Sequence, residues 1–206
     1  MKLLLNLLLL VVFAHADDKP VTCGSAVKLT HIESGSKNFL FSENKNLGGG
    51  SGQQVVTWIP DRSASGALWL VRGPDGVEEC DPGTPIQCGS KVRFTHAETR
   101  RNLHTHGIQS PLSRQQEITG YGENGNGDTG DDWGVECSGK YWMREKPVRF
   151  LNIDTSRYLG GSNNVKFTQQ NCGHGCPILH HLEAFARKQK DSYSELKVEM
   201  GVLLSK

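Results

Sequence analysis

Cys23-Gly24-Ser25-Ala26-Val27-Lys28-Leu29-Thr30-His31 returns further along the chain as Cys88-Gly89-Ser90-Lys91-Val92-Arg93-Phe94-Thr95-His96. A weaker third copy runs Pro147-Val148-Arg149-Phe150-Leu151-Asn152-Ile153. Val27 and Val92 are 65 positions apart, Val92 and Val148 are 56 apart. One unit is therefore about as long as four short strands with their turns. Within the opening run Val27, Leu29 and His31 point one way and Lys28 and Thr30 the other. Val92, Phe94 and His96 repeat this against Arg93 and Thr95. Such alternation predicts a strand with one core face and one solvent face.

Each copy continues in the same way. A turn follows (Glu33-Ser34-Gly35-Ser36-Lys37, Glu98-Thr99-Arg100-Arg101 or Asp154-Thr155-Ser156-Arg157), then a second strand holding Phe39-Leu40, Asn102-Leu103 or Tyr158-Leu159. A Ser/Gly-rich passage comes next and ends in a glutamine pair: Gln53-Gln54, Gln115-Gln116 and, shortened, Thr168-Gln169-Gln170. The copy closes on a tryptophan strand beginning at Trp69 or Trp133, with Leu196 in that place in the third. One four-strand unit cannot bury its apolar face alone, and an open array of units needs caps for its edges. Three units closed on themselves solve both problems. The expected fold is all-β: a β-trefoil, a six-stranded barrel capped by three hairpins. A propeller of three blades would fall below the usual minimum of about four.

Residues 1–16 are predicted to be a secretory signal. Lys2 supplies a positive start, Leu3 to Phe13 is apolar apart from Asn6, and Ala14-His15-Ala16 matches a small-x-small cleavage pattern. The run is well short of the ~20 residues a spanning helix needs. Residues 17–206 are read as one domain, with repeat one at about 21–80, repeat two at about 86–138 and repeat three at about 141–206. A formal charge of +1, from 23 basic and 22 acidic residues, gives no electrostatic reason to expect nucleic acid or an anionic membrane as a partner. The one stretch with helical character is residues 179–190, where the third copy departs most from the others.

Six cysteines behind a signal peptide belong to an oxidising compartment, where pairing is the default and 15 connectivities are open. If each repeat begins and ends on neighbouring strands, the pairs are Cys23–Cys80 and Cys88–Cys137, leaving Cys172 and Cys176 to close a small loop. Zinc at Cys172-Gly173-His174-Gly175-Cys176 is the rival reading, but it would need a fourth ligand and reduced thiolates.

The residues offer little chemistry. His104 and His106 flank Thr105 and share one face of a strand, as a two-histidine metal edge would require. Hydrogen bonding within a hairpin is the preferred reading of that pair. His180-His181 would point oppositely. Asp128, Asp131 and Asp132 offer oxygen ligands of the kind calcium takes, in a loop read as solvated. No nucleophile elbow, zinc-protease helix or phosphate-cradling loop is present. No catalytic residue, metal or cofactor is expected, and the chain reads as a binding protein. Its candidate contacts are polar turn positions: Arg100, Arg101, Asn102, His104 and His106 of the second hairpin, with Gln53, Gln54, Gln115 and Gln116. For each glutamine pair, turn packing competes with a binding role.

Arg101-Asn102-Leu103-His104-Thr105-His106, Ser110-Pro111-Leu112-Ser113, Asp131-Asp132-Trp133 and Gly50-Ser51-Gly52-Gln53-Gln54 together resemble the stromal cell-derived factor 2 family of MIR-domain proteins, in order over residues 21–206. The resemblance implies a β-trefoil resident in the endoplasmic reticulum lumen. It also implies partnership with a J-domain co-chaperone and a BiP-type chaperone in quality control of unfolded secretory proteins. The alternative is a carbohydrate-binding MIR module recognising glycans or O-mannosylated proteins. Relatives tend to carry Leu-His-Ser-His in their hairpins, whereas this chain has Leu103-His104-Thr105-His106 in the second copy only. The chain ends Leu203-Leu204-Ser205-Lys206 without a retrieval signal, so retention is expected through a partner, with secretion as the other outcome.

Overall fold

The computed structural model describes residues 19–77 and 80–205; the predicted signal segment lies outside them. Each of the first two repeats folds into four strands: β1 (Ala26–His31), β2 (Phe39–Asn46), β3 (Gln54–Ile59) and β4 (Trp69–Arg72), then β5 (Lys91–His96), β6 (Asn102–Gln109), β7 (Gln116–Tyr121) and β8 (Trp133–Cys137). The third has β9 (Val148–Asn152), β10 (Arg157–Gly160), β11 (Leu182–Glu183), β12 (Phe185–Arg187) and β13 (Leu196–Val202). First and last strands of the repeats close a six-membered antiparallel ring, β1-β4-β5-β8-β9-β13 and back to β1. The inner strands form hairpins β2–β3, β6–β7 and β10–β12. These are laced together where β3 meets β7, β7 meets β12 and β11 meets β3. The architecture is the expected β-trefoil, and closure leaves its barrel without an edge strand.

The core follows the repeat. Val27 and Leu29, Val92 and Phe94, and Val148 and Phe150 fill the barrel with Trp69 and Val71, Trp133 and Val135, and Leu196 and Val198, each at most 2% exposed. The floor is a cyclic trio of backbone bonds: Val21 N donates to Trp142 O, Trp142 N to Ile86 O, and Ile86 N to Val21 O. Trp142 stands edge-on to Phe94 and Phe150 there.

The missing third tryptophan is replaced from elsewhere. Trp69 Nε1 donates to Leu40 O at 3.0 Å and Trp133 Nε1 to Leu103 O at 2.9 Å. In the third copy Leu196 leaves room, and Trp58 of β3 swings in to donate to Gly160 O at 3.1 Å. A Cβ on Gly161 would lie 2.6 Å from the Trp58 Nε1, so the close approach requires glycine. In the other two copies the residues matching Trp58 are Gly120 and Ala186, opposite Leu103 and Leu159 as Trp58 is opposite Leu40. Large and small have exchanged places.

A second threefold device staples each repeat to the one before it. His96 Nε2–H donates to Gly66 O at 3.0 Å, His31 Nε2–H to Tyr193 O at 3.0 Å, and Asn152 Nδ2 to Gly130 O at 2.8 Å. Burial holds both imidazoles below the ordinary value of 6.5. Below about pH 6.5 the unfolded chain takes up protons that these folded rings refuse, so their contribution is fully present above that pH and shrinks as pH falls. The limiting slope is about 1.4 kcal/mol per pH unit for each ring. His96→Asn, copying Asn152, is expected to keep the staple and flatten the loss of stability between about pH 7 and 5.5. Urea titrations giving the same slope for both proteins would count against these rings as its source.

Several expectations are corrected. The outer face of the opening strands is covered rather than solvated: Lys28 is 8% exposed, Thr30 0%, Arg93 6% and Thr95 0%. Lys28 Nζ donates to the carbonyls of Arg62 and Ala64, and Arg93 Nε to that of Gly73, so connecting loops fold over these side chains. Residues 179–190 are not helical; they supply β11 and β12, because the third cap strand is needed to pair with β3 and β7. The short helix is instead Gln169–Cys172. Gln169-Gln170 therefore does not match the other glutamine pairs, whose position falls to His181 and Leu182. The cysteines form Cys23–Cys80, Cys88–Cys137 and Cys172–Cys176, with no free thiol.

Candidate binding surface

The second hairpin is held by a buried polar chain that begins in the loop before β8. Asp128 caps the turn Thr129–Asp131, accepting from Gly130 N at 2.9 Å, while its own N–H donates to Asp131 Oδ2 at 3.2 Å. Asp131, 0% exposed, also accepts from Asn102 Nδ2 at 2.9 Å and from His104 Nδ1 at 2.9 Å. A carboxylate that takes these donors assigns the proton of His104 to Nδ1 and leaves Nε2 an acceptor. His106 Nδ1, 3.0 Å away, is then the donor. Its Nε2 is left as a lone pair. Burial, and then the neighbouring His104, hold the His106 pKa below the ordinary imidazole value.

This chain is structural in its inner half. Asp131 is buried and saturated, not solvated as the loop reading expects, and Asp132 is buried with its carboxyl accepting from Asp75 N at 2.8 Å. Burial is the main cause that raises the Asp132 pKa. His104, Asp128 and Asp131 bring one donor atom each within 4.8 Å of one another. A cation there would have to displace the proton shared by His104 and Asp131 and the bonds from Asn102 and Asp128 N, so the geometry is that of a hydrogen-bonded support.

Outside the support lies a polar trough in two hollows that meet at Tyr121 and Gln53. The smaller, about 410 Å³, is lined by His104, His106, Asp128 and Asp154. The larger, about 930 Å³, runs between the first two repeats past Asn44, Asn46, Glu98, Arg101 and Glu123. The Tyr121 ring is fixed against His104, centroids 4.6 Å apart, and Gln53 Oε1 accepts from Thr119 Oγ1 at 2.5 Å.

The structure sorts the predicted contacts. Arg101, Gln53, His104 and His106 converge on the trough. Asn102, Gln54 and Gln116 lie inside the protein. Gln54 Nε2 donates to Ser42 Oγ and Thr99 Oγ1, and Gln116 Nε2 to Thr105 Oγ1, so each ties its hairpin. Arg100 lines a separate hollow beside Cys80 and Pro82, and Gln115 sits half-buried in the β6–β7 loop. Residues not predicted are Tyr121, Glu98, Glu123, Asn44 and Asn46. Tyr121 matches Ile59 of the first repeat, and that polar-for-apolar exchange is the signal that marks it.

Fold and trough together define a β-trefoil with a polar face, between its first two repeats, that breaks the threefold pattern. A comparison with protein-family models returns no match. Stromal cell-derived factor 2 of Homo sapiens is 46% identical over 184 residues, covering 89% of this chain and 82% of that protein. The stromal cell-derived factor 2-like protein of Dictyostelium discoideum is 41% identical over 187 residues, 88% of this chain and 83% of that one. The crystal structure of the SDF2-like protein from Arabidopsis thaliana has a TM-score of 0.80 at 34% identity, over 91% of this chain and 98% of that chain. The chain belongs to the stromal cell-derived factor 2 family. The same fold recurs within a larger chain in a protein O-mannosyltransferase complex of S. cerevisiae bound to the sugar donor (TM-score 0.75, 26% identity, 91% of this chain and 26% of that chain).

Proposed function

We propose that this protein is a non-catalytic binding subunit in the endoplasmic reticulum lumen, joining a J-domain co-chaperone and a BiP-type chaperone in the handling of unfolded secretory proteins. The observation that carries the binding part is the trough itself. Its one histidine with a carboxylate partner, His104, spends its second nitrogen on His106 rather than on a serine, threonine or cysteine. All six cysteines are paired, so no thiolate is available either. Neither the imidazole pair nor the paired cysteines supply an activated nucleophile, which supports the non-catalytic reading. Kinship with the stromal cell-derived factor 2 family supports the choice of partners, as do the alternating charges of Glu98, Arg101 and Glu123 along the larger hollow, which suit a polar, reversible protein contact.

Capture from a lumenal extract with the mature domain is expected to recover both chaperones. Arg101→Glu and Tyr121→Ala should each cut recovery about tenfold, as loss of a central anchor does. Recovery of neither chaperone by the unaltered protein would sink the proposal. One observation favours a second reading, as a glycan-binding module: a fixed aromatic ring, Tyr121, borders a polar hollow, in a fold shared with a sugar-donor-bound mannosyltransferase. A glycan array settles that reading, and an empty array would leave it without support.

A further inference from the structure

The three cap hairpins converge at the free end of the trefoil on a position held by Val55, Glu117 and Glu183, each directly after the residue that opens the strand. Glu183 is fully used: it accepts from Leu112 N at 2.7 Å, Ser113 N at 2.9 Å and Ser110 Oγ at 3.1 Å, all in the loop of repeat two. Val55 packs on Phe167 and Ile178 of repeat three. Glu117 faces the loop of repeat one and collects far less. Ser51 N donates to its Oε2 at 3.1 Å, while Oε1 has no hydrogen-bond partner, on a residue 2% exposed. A buried acceptor left empty is rare and calls for a donor.

That carboxylate borders a groove of about 470 Å³, within the size range of small-ligand sites, about 300–1,000 Å³. Leu47, Pro111, Phe167 and Ile178 form its apolar walls, and the exposed Arg114 stands at its side. Gly48, Gly49 and Gly50 line its remaining side. Oε1 lies directly against Gly50, where a Cβ would come within 2.4 Å of it, while Gly48 and Gly49 border open space. The groove thus presents a buried acceptor, a cationic donor and an apolar floor. An extended peptide offers their complements: an N–H, a C=O and an apolar side chain.

We propose that the axial groove between Glu117, Arg114 and the Phe167–Ile178 wall binds an extended, apolar-rich segment of polypeptide. As Gly50 shifts off Glu117 Oε1, a backbone N–H of the segment takes its place as the donor to that oxygen, a backbone carbonyl accepts from Arg114, and an apolar side chain enters between Leu47, Phe167 and Ile178. Recognition through backbone groups tolerates many sequences, which fits unfolded chains. The inference rests on the reading of this protein as a partner of unfolded clients.

The repeat itself supplies variants with precedent in the same fold. Glu117→Val copies Val55. Arg114→Gly copies Gly52, which has the same left-handed backbone (φ 68° against 59°). The probe is a fluorescent, N-acetylated Ser-Gly-Leu-Phe-Leu-Gly-Ser amide, with a control in which the three apolar residues are serine. Anisotropy is expected to show binding of the apolar peptide and about tenfold weaker binding of the control, of Glu117→Val and of Arg114→Gly. Both variants should still capture the chaperones, since neither residue borders the trough. No binding by the unaltered protein, or equal affinity in both variants, overturns the inference. Should Glu117→Val fail to give a cooperative melt, Arg114→Gly decides alone. A dimer in sedimentation that dissolves in Arg114→Gly would overturn it in favour of a second copy as occupant. Loss of chaperone capture with peptide binding intact would instead overturn the functional reading and leave the groove standing.

Discussion

Trp133→Ala is expected to cost about 3–5 kcal/mol, the range for truncating a buried aromatic side chain, in a domain whose whole stability is of the order of 5–15 kcal/mol. Trp133 is 0% exposed, so the lost packing leaves a cavity lined by apolar atoms. Its Nε1 bond to Leu103 O anchors the cap hairpin of repeat two to the barrel strand β8, and that tie goes with it. A milder change tests the exchange of large and small residues described above. Trp133→Leu copies Leu196, but here the cap position is Ala186, which cannot fill the space as Trp58 does in the third copy. We expect Trp133→Leu to be destabilised and the double variant with Ala186→Trp to recover about 1 kcal/mol or more, within the usual range of coupling between adjacent side chains. Chemical denaturation of the four proteins of the cycle gives the coupling directly. Strict additivity would mean that Trp58 and Leu196 do not compensate each other.

The second large effect concerns the disulfides. Cys23–Cys80 joins residues 57 apart and Cys88–Cys137 residues 49 apart, whereas Cys172–Cys176 spans only 4. Loop-closure entropy grows with the logarithm of the span, so removing Cys23–Cys80 by paired alanine substitution should cost about 4 kcal/mol and removing Cys172–Cys176 about 2. The difference has a structural side. Cys23 is 3% exposed and packs in the main core, while Cys172 and Cys176 are half-buried against the small cluster around Val55, Phe167 and Ile178. Thermal melts of the two double variants should rank in that order. A larger loss from the short loop would show that the cluster under the cap, and not chain entropy, governs.

The barrel was legible because its strands obey two rules at once: period-two alternation, and recurrence of Val27-x-Leu29, Val92-x-Phe94 and Val148-x-Phe150 at the same point of each copy. The cap of repeat three was not legible, because one strand there is split into β11 and β12 so that it can serve two neighbours, and residues 182–187 carry no alternation. Trp142 carries no repeat signal for a similar reason: it plugs the barrel floor from a segment with no regular strand. The staple leaves only a trace in the sequence. His31, His96 and Asn152 each precede a hydroxyl residue by three positions, Ser34, Thr99 and Thr155, yet only the fold shows that all three reach the same carbonyl of the preceding repeat. Half of the trough was accessible to inspection, since Arg101, His104 and His106 stand in the copy that keeps the full motif. Its other half comes from Asn44, Asn46 and Tyr121, which distant turns bring together, and buried Asn102 shows that polarity alone does not mark a surface.

The barrel closes where Ala26 of β1 pairs with Val202 of β13, the two ends of the domain. At about 5–20 residues per second of synthesis, the ribosome needs roughly 9 to 35 s to travel between them. Throughout that interval β1 has no partner for its outer edge, and Val21 waits for Trp142 to complete the floor. Two finished repeats in that state are an open sheet with an apolar interior, the kind of species that aggregates. A protein proposed to attend unfolded chains is, by its own topology, a chain whose folding calls for attendance.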